Sequence, residues 1–237
     1  MIKRGIAAAI IALLSTTIVE AKYTPKSTGE LIVHTHFSLD YNEHHEQPNW
    51  VYYTLTKENL SGGEERSNSF KADPKVSTGS AVTADYAKSG YDRGHLCPAA
   101  DMTQSQTAMR ETFYMSNMSP QAPSCNRGIW KTSETYVRNL VAEPTNKIDT
   151  LYIVTGPIFN NNMGAIGANN VTIPGAYYKV AYSPQISKMW AFIIPNEKSD
   201  NTLEFFRTTV DEVELQTGID LYYQLPPKLQ EQLEAQK

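Results

Sequence analysis

The chain has 237 residues, of which 41% are apolar, 19% charged and 10% aromatic, and this composition is ordinary for a globular protein. Its formal net charge of −4 at pH 7 argues against a protein that coats nucleic acid stoichiometrically, since such binders are often basic overall. An enzyme that acts on phosphates is not excluded, because a local basic cleft can focus its field on a phosphate whatever the net charge.

The N-terminus differs in composition from the rest of the chain. A basic start at residues 1–4 precedes an unbroken apolar run at residues 6–14, and residues 19–21 offer small or modest side chains for cleavage. This pattern predicts a secretory signal peptide at residues 1–21, because the apolar run is too short for a comfortable membrane span. An uncleaved membrane anchor stays open as the alternative. Residues 22–237 are expected to form one secreted or periplasmic domain without membrane contact.

The first half of the chain predicts strands separated by irregular connections. Aromatic and β-branched residues favour strands at residues 31–39 and 50–55, and another short strand is expected at residues 91–96. A short helix is expected at residues 109–114. Two prolines predict a loop at residues 119–126.

The second half mixes helices with strands. Apolar residues on one face predict a helix at residues 127–142, which Pro144 ends. A buried strand is predicted at residues 151–155, ending at Gly156-Pro157, and a hairpin of strands is predicted at 177–183 and 189–194. A further helix is predicted to begin with the capping pattern Thr209-Val210-Asp211-Glu212 and to end at Gly218, and a last helix follows Pro226-Pro227. Because no regular βαβ rhythm is present, the predicted class is α+β.

The tetrapeptide at residues 92–95, Asp-Arg-Gly-His, carries the first chemical signal. On a strand, Arg93 and His95 point to the same side. A histidine near its ordinary pKa can take a proton from water, and an arginine binds phosphate oxygens in a forked geometry. On the predicted helix, Glu134 and Arg138 are four residues apart and therefore share a face.

Two asparagines complete this set of polar residues. Asn117 precedes the predicted proline loop, and Asn126 lies at the start of the predicted helix. Asn126 can act as a helix cap, as a metal ligand or as both. One amide oxygen is a poor metal site alone, but Mg²⁺ keeps most of its waters and needs few protein ligands. Taken together, these residue types predict metal-dependent hydrolysis of a phosphodiester.

The order and spacing of several motifs resemble the DNA/RNA non-specific endonucleases, which include the Serratia-type secreted nuclease and endonuclease G. The resemblance runs from about residue 50 to residue 225. The matching motifs are Asp92-Arg93-Gly94-His95, Ser116-Asn117-Met118-Ser119-Pro120-Gln121, Asn126-Arg127-Gly128-Ile129-Trp130, Glu134 with Arg138, Val154-Thr155-Gly156-Pro157, Ile173-Pro174, and Thr209-Val210-Asp211-Glu212 with Thr217-Gly218. The resemblance implies a single domain with a ββα-metal finger as its core and a central mixed or antiparallel sheet flanked by helices.

The same resemblance implies a role for each matching residue. His95 would be the general base, and Asn126 would be the one direct protein ligand of a water-rich Mg²⁺, with Mn²⁺ as a substitute. Glu134 would hold metal-bound waters. The remaining implied site residues are Arg93 and Arg138 as phosphate contacts, Asn117 as a support of the site geometry, and Arg66 as the loosely aligned match to a further arginine. The implied substrates are DNA and RNA, recognised through the phosphate backbone.

Several alternatives stay open at this point. Cys97 and Cys125 lie beside proposed site residues, so either a disulfide or two free, partly buried thiols is compatible with the sequence. His34 and His36, with two further histidines at positions 44 and 45, suggest a zinc site that lacks completing ligands. At the level of function, the alternatives are an inactive nucleic-acid or metal-binding protein on the same scaffold, or a nuclease toxin with an immunity partner. Oligomeric state is not predicted.

Overall fold

The structure is a computed structural model that describes residues 22–237. The predicted signal peptide at residues 1–21 lies outside the described residues. Within the described range, no helix combines the length and the apolar character that a membrane span requires.

Short elements make up the described chain. The strands are β1 (Glu30–Val33), β2 (Phe37–Asn42), β3 (Gln47–Thr56), β4 (Asp92–His95), β5 (Met118–Gln121), β6 (Thr150–Ile158), β7 (Ala165–Ile166), β8 (Val171–Thr172), β9 (Ala176–Ser183), β10 (Lys188–Pro195) and β11 (Arg207–Thr208). The α-helices are α1 (Lys57–Leu60), α2 (Gln106–Glu111), α3 (Pro123–Cys125), α4 (Lys131–Ala142), α5 (Val210–Thr217) and α6 (Pro227–Glu234). A π-turn at Asn126–Trp130 joins α3 to α4.

A seven-stranded sheet in the order β1-β2-β3-β6-β9-β10-β11 is the centre of the fold. All its neighbouring strands pair antiparallel. Strands β4 and β5 form a separate two-stranded ribbon, as do β7 and β8. The α+β class with a central antiparallel sheet is therefore confirmed.

The central strand β9 shows how the sequence builds two cores. Successive side chains of a strand point to opposite faces. Tyr177 and Ala181 face the hydrophobic cluster that includes side chains of α4, whereas Tyr178 and Val180 face the cluster that includes side chains of α5 and α6. Lys179 is two residues from both Tyr177 and Ala181, so its side chain projects toward the same face as theirs, the face of α4. The sheet thereby separates α4 from α5 and α6.

Two predicted elements in the first half are corrected by the structure. The single strand predicted at residues 31–39 is wrong: β1 and β2 form a hairpin, and the backbone N–H of His34 donates to the carbonyl of Phe37 at 2.8 Å in the turn. The loop predicted at residues 119–126 is also wrong, because β5 and α3 occupy it. Proline has no backbone N–H to donate, but β5 does not need one at Pro120 because this residue faces away from β4. Its carbonyl accepts hydrogen bonds from Tyr177 and Asn196 on that side.

Two other elements differ from the sequence predictions only in their boundaries, and the remaining predicted elements of the second half are present. Strand β6 continues through Gly156 and Pro157, where it still pairs with β9 but no longer pairs with β3. Proline is tolerated there because one side of the strand has no neighbouring strand that needs its N–H. Helix α2 begins earlier than predicted, at Gln106, because the Ser105 hydroxyl caps it by accepting from the Ala108 N–H at 3.2 Å. The predicted hairpin of β9 and β10 is confirmed, as are α6 and the capped helix α5.

Candidate active site

The β4–β5 ribbon and the helical segment that follows it form a ββα unit on one face of the central sheet. Asp92 pairs with Gln121 and His95 pairs with Met118. A side chain at Gly94 would overlap Gln121, so this close approach requires glycine. Strand β4 ends at His95, whose carbonyl accepts a hydrogen bond from Trp130 of the helical segment.

His95 lies in an enclosed aromatic setting. Its side chain stacks edge-on against Phe70 and Phe113, with ring centroids 5.7 and 4.9 Å away. The residue is 7% exposed, and its Nε2 has no hydrogen-bond partner among the described residues. Trp130 donates its indole N–H to the His95 carbonyl at 3.1 Å, which holds the backbone. The buried Trp130 is thus a core residue, and it also positions the backbone of His95.

Two arginines lie close to this histidine and add to the effect of burial on its pKa. The Arg93 guanidinium lies 4.1 Å above the Phe70 ring, and the Arg66 guanidinium lies 4.9 Å above the Phe113 ring. Burial, followed by the charges of Arg66 and Arg93, lowers the pKa of His95 to about 3. The imidazole is therefore neutral at physiological pH and can accept a proton.

The position of Arg66 depends on a contact between two irregular segments. Lys71 forms an isolated parallel bridge with Tyr114, and the Lys71 N–H donates to the Phe113 carbonyl at 3.3 Å. This bridge brings the segment that contains Arg66 to the aromatic pair. Arg66 also donates from Nε to Asn68 Oδ1 at 2.9 Å. The structure therefore brings the loosely aligned Arg66 to the same site as His95.

The helical half of the site begins earlier than predicted. Pro123 occupies the first turn, where proline is favoured, so the helix does not begin at Arg127. Asn126 therefore lies inside the helical segment, at the π-turn, and its side chain makes no cap hydrogen bond there. Its Nδ2 donates to Asp92 Oδ2 at 2.9 Å. π-turns of this kind occur often at functional sites.

Asp92 joins both halves of the ββα unit. Besides Asn126, it accepts hydrogen bonds from Arg127 Nε at 2.8 Å and Arg127 Nη2 at 2.6 Å. These donors, led by Arg127, lower the pKa of Asp92 against the opposing effect of burial. Asp92 is a structural residue whose partners lie 34 and 35 residues away along the chain.

The donor set on this helix fits a hard divalent cation. With Nδ2 bound to Asp92, Asn126 presents its Oδ1, for which residues 22–237 supply no hydrogen bond. Burial, together with the charge of Asp101, raises the pKa of Glu134 to about 7, against the opposing charges of Lys179 and Arg138. A half-buried carboxylate and a free amide oxygen on one helical segment are ligands that Mg²⁺ accepts together with its waters.

Arg138 is held by Asp101, which a tyrosine of the central sheet holds in turn. Its Nε donates to Asp101 Oδ1 at 2.7 Å, and the Tyr53 hydroxyl donates to Asp101 Oδ2 at 3.0 Å. Asp101 is buried, and burial raises its pKa while Arg138 and Lys179 oppose that rise. One edge of the Arg138 guanidinium is thereby fixed, which orients the remaining N–H groups.

A buried lysine lies beneath this helix. Lys179 is 1% exposed, and its Nζ lies 4.6 Å from the Trp130 ring and 3.5 Å from Thr155 Oγ1. Burial lowers its pKa, while the charges of Glu134 and Asp101 act in the opposite direction. Lys179 therefore supplies positive charge to the buried carboxylate of Asp101 and the half-buried carboxylate of Glu134.

Asn117 is placed differently from the other predicted site residues. It is fully buried; its Oδ1 accepts from the Cys97 N–H at 2.9 Å, and its Nδ2 donates to the carbonyls of Cys97 and Thr112, each at 2.9 Å. The side chain thus holds the backbone two residues after His95. It supports the site geometry through the main chain and not through the imidazole ring.

The cysteine and zinc alternatives are now decided. Cys97 and Cys125 are both free and fully buried, so the disulfide alternative is wrong. The zinc hypothesis is also wrong for the described residues: His34 binds Asp73 through Nε2 at 2.8 Å, and His45 bonds to Thr172 at 3.0 Å. No metal-type cluster that includes a histidine occurs in residues 22–237.

Asp101, Lys179 and the aromatic pair Phe70 and Phe113 were not among the predicted site residues. Asp101 and the aromatic residues come from segments without a motif of their own. Lys179 carries a usable signal, because a lysine that interrupts the apolar strand of residues 177–182 is unusual unless its charge is paired. Their contribution becomes visible only when the sheet and the helix are packed together.

The ββα unit presents a neutral histidine, an amide oxygen, a carboxylate and the arginines Arg93 and Arg138, and an irregular segment adds Arg66; a site of this composition is expected of a nuclease. The family of DNA/RNA non-specific endonucleases matches residues 14–228. Nuclease C1 of Cunninghamella echinulata is 34% identical over 85% of this chain and 86% of its own length. The nuclease of Nostoc is 33% identical over 90% and 80%, and human mitochondrial endonuclease G is 34% identical over 84% and 71%.

A solved structure of EndoG in complex with EndoGI agrees with these similarities. It aligns with a TM-score of 0.77 at 31% identity and covers 87% of this chain and 90% of that chain. The chain belongs to the DNA/RNA non-specific endonuclease family and is a hydrolase that acts on nucleic acid.

Proposed function

We propose that this chain is an Mg²⁺-dependent endonuclease that hydrolyses phosphodiester bonds of DNA and RNA with little sequence preference. The observation that carries the proposal is the state of His95. Its Nε2 is buried without a partner among the described residues, and burial, followed by the charges of Arg66 and Arg93, lowers the pKa of the ring so that it is neutral. A buried ring nitrogen without a partner beside two cations is costly in a purely structural setting, whereas a neutral imidazole suits a base that takes a proton from an attacking water.

Asn126 and Glu134 would hold the metal ion, Asn126 directly through Oδ1 and Glu134 through bound waters. The Asp92 carboxylate orients the amide of Asn126 for this purpose. When bound, the ion supplies Lewis-acid stabilisation of the charge on the leaving oxygen. Mn²⁺ is expected to substitute for Mg²⁺, because both accept oxygen ligands.

Arg93, Arg66 and Arg138 would bind the scissile phosphate. Arg93 lies above the Phe70 ring and Arg66 lies above the Phe113 ring, the two rings that pack against His95. Arg138 lies on the helix that carries Glu134. Guanidinium groups match the geometry of phosphate oxygens and stabilise the charge of the transition state. Contacts of this kind read the backbone and not the base edges, so we expect weak sequence preference.

We infer an exported location, secreted or periplasmic, from the N-terminal pattern of the sequence. The similar nucleases include mitochondrial proteins as well as the nuclease of Nostoc. Expression of the full chain with a C-terminal tag tests this location. Export predicts recovery of a shortened chain outside the cytoplasm, whereas a full-length cytoplasmic product contradicts it.

Digestion of plasmid DNA and of a structured RNA tests the catalytic proposal. With Mg²⁺ we expect both polymers to be cut internally, with fragment ends spread over all sequences, and we expect EDTA to stop the reaction. Equal rates with and without EDTA would contradict the metal dependence. Binding of both polymers without cleavage in Mg²⁺ would favour the alternative of an inactive binding protein.

A further inference from the structure

Helices α5 and α6 carry a cluster of carboxylates on the sheet face opposite to the proposed active site. Both helices pack on the hydrophobic cluster of that face through residues such as Val213 and Leu233. Asp211 and Glu214 come from α5, and Glu234 comes from the last turn of α6. One ligand oxygen of each carboxylate lies within 4.8 Å of those of the other two.

The three carboxylates of the cluster differ in their solvent exposure. Asp211 is exposed, Glu214 is half-buried and Glu234 is only 4% exposed. The backbone N–H of Leu221 donates to Glu214 Oε1 at 2.6 Å, which fixes that side chain. Glu234 Oε1 is buried and has no hydrogen-bond partner in the described part of the chain. A buried carboxylate oxygen without a partner costs free energy unless a proton or a cation satisfies it.

Positive side chains do not neutralise this cluster. Among residues 22–237, none of the three carboxylates takes part in an ion pair, and Asp220 adds a further nearby negative charge. Burial, followed by neighbouring carboxylates, raises the pKa of Glu214 to about 7 and that of Glu234 to about 8. The cluster therefore attracts a positive charge, which must come from solution.

We propose that Asp211, Glu214 and Glu234 bind a divalent cation, and that Ca²⁺ is the ion they fit best. The ligands are all carboxylate oxygens, which excludes a preference for a soft metal. Ca²⁺ accepts six to eight oxygens in a flexible arrangement, whereas Mg²⁺ requires near-ideal octahedral geometry. The exposed Asp211 leaves room for waters to complete the coordination shell.

The proposed ion would connect the last helix to the rest of the domain. Glu234 lies beyond residues 14–228, which the family model matches, and the central sheet separates this site from the proposed catalytic metal. Because an ion that binds only the folded chain stabilises it, Ca²⁺ should raise the temperature of unfolding. Activity does not depend on this site, since the sheet separates it from His95.

Calcium binding to the purified protein tests the proposal. To remove the contribution of the catalytic metal, both arms carry Asn126→Ala. Calorimetric titration at pH 8 should give one Ca²⁺ per chain for Asn126→Ala and none for Asn126→Ala with Glu234→Gln. Saturating Ca²⁺ should raise the unfolding midpoint of the first protein by about 5 °C or more and leave that of the second unchanged.

The variants also provide their own controls. Glu234→Gln keeps the shape of the side chain and removes a repulsive charge, so it should fold at least as well as its parent without Ca²⁺. Glu231→Gln, an exposed position on the same helix, should bind Ca²⁺ like the parent, and Asp211→Asn should weaken binding. The proposal is overturned if Asn126→Ala binds no Ca²⁺, which would mean that protons neutralise the cluster, or if Glu234→Gln binds it equally well.

Discussion

The side-chain amide of Asn126 donates a hydrogen bond of 2.9 Å to Asp92 Oδ2, and this bond joins the strand that carries His95 to the helix that carries Glu134. The bond also decides the orientation of the amide, because its nitrogen is committed to the carboxylate. The oxygen is left for a ligand. The proposed base and the proposed metal ligand are thus held in fixed relative positions by a residue that belongs to the same tetrapeptide as His95.

Asp92→Ala should weaken metal use without removing the base. Loss of the acceptor frees the Asn126 amide to rotate, and loss of a group that orients a metal ligand typically costs about 10- to 100-fold in metal affinity or activity. The measurement is the initial cleavage rate as a function of Mg²⁺ concentration. Arg127→Ala is the matched control, since it removes only an exposed partner of Asp92. An unchanged Mg²⁺ requirement in Asp92→Ala would show that this bond does not orient the ligand.

The protonation of His95 should depend on its two arginines. In the metal-free protein, NMR should show an imidazole that stays neutral far below the ordinary pKa of about 6.5, because burial and the charges of Arg66 and Arg93 lower its pKa to about 3. Arg66→Ala and Arg93→Ala should each raise that pKa. Lys88→Ala, which removes an exposed charge, should not. An ordinary His95 pKa in the wild type would contradict this description.

The same shift predicts a pH dependence of stability. Between pH 6.5 and 3 the unfolded chain binds a proton at this position and the folded chain does not, so stability decreases as the pH falls through this range. His95→Asn removes the titrating group and should flatten that part of the stability curve. Urea unfolding at several pH values measures it, and parallel curves for both proteins would contradict the shift.

Lys179→Met should destabilise the fold through the charges that it leaves behind. Removal of one partner from a buried set of charges typically costs about 3–5 kcal/mol, and here Asp101 and Glu134 lose a neutralising cation. Addition of Glu134→Gln should recover part of the loss, because one uncompensated carboxylate is then removed. Lys188→Met, at an exposed position of β10, is the control. The free energy of unfolding in urea is the measurement, and additive effects of the two substitutions would argue against coupling.

The two cysteines should be unreactive in the native protein. Both are fully buried, and burial raises the pKa of Cys125 to about 12 and that of Cys97 well above its ordinary value, so the nucleophilic thiolate is scarce. A thiol-specific reagent should therefore label neither cysteine in the folded chain and both in denaturant. Nuclease activity should be equal with and without reductant. Two missing thiols in denaturant would instead indicate a disulfide.

Much of the proposed site could be predicted because its residues fall in short motifs on two adjacent elements. Arg93 and His95 share one strand, and Glu134 and Arg138 share one helix face. The spacing within each element follows from the geometry of a strand or a helix. The positions of these two elements relative to each other were implied only by the family resemblance.

The remaining features depend on contacts between distant segments. Asp101 is 37 residues from Arg138 along the chain, and Lys179 comes from a strand whose role is set by the packed sheet. The proline-containing stretch at residues 119–126 was predicted as a loop because proline disfavours regular structure. That rule does not include the hydrogen bonds by which Tyr177 and Asn196 satisfy the Pro120 carbonyl and permit a strand.

The central claim is that His95 activates the attacking water, and single-turnover cleavage of a plasmid in saturating Mg²⁺ tests it most directly. His95→Ala should retain its fold, measured by circular dichroism, and should cleave about 10²- to 10⁴-fold more slowly than wild type, the usual contribution of a general base. A folded His95→Ala variant that cleaves as fast as wild type would contradict the claim.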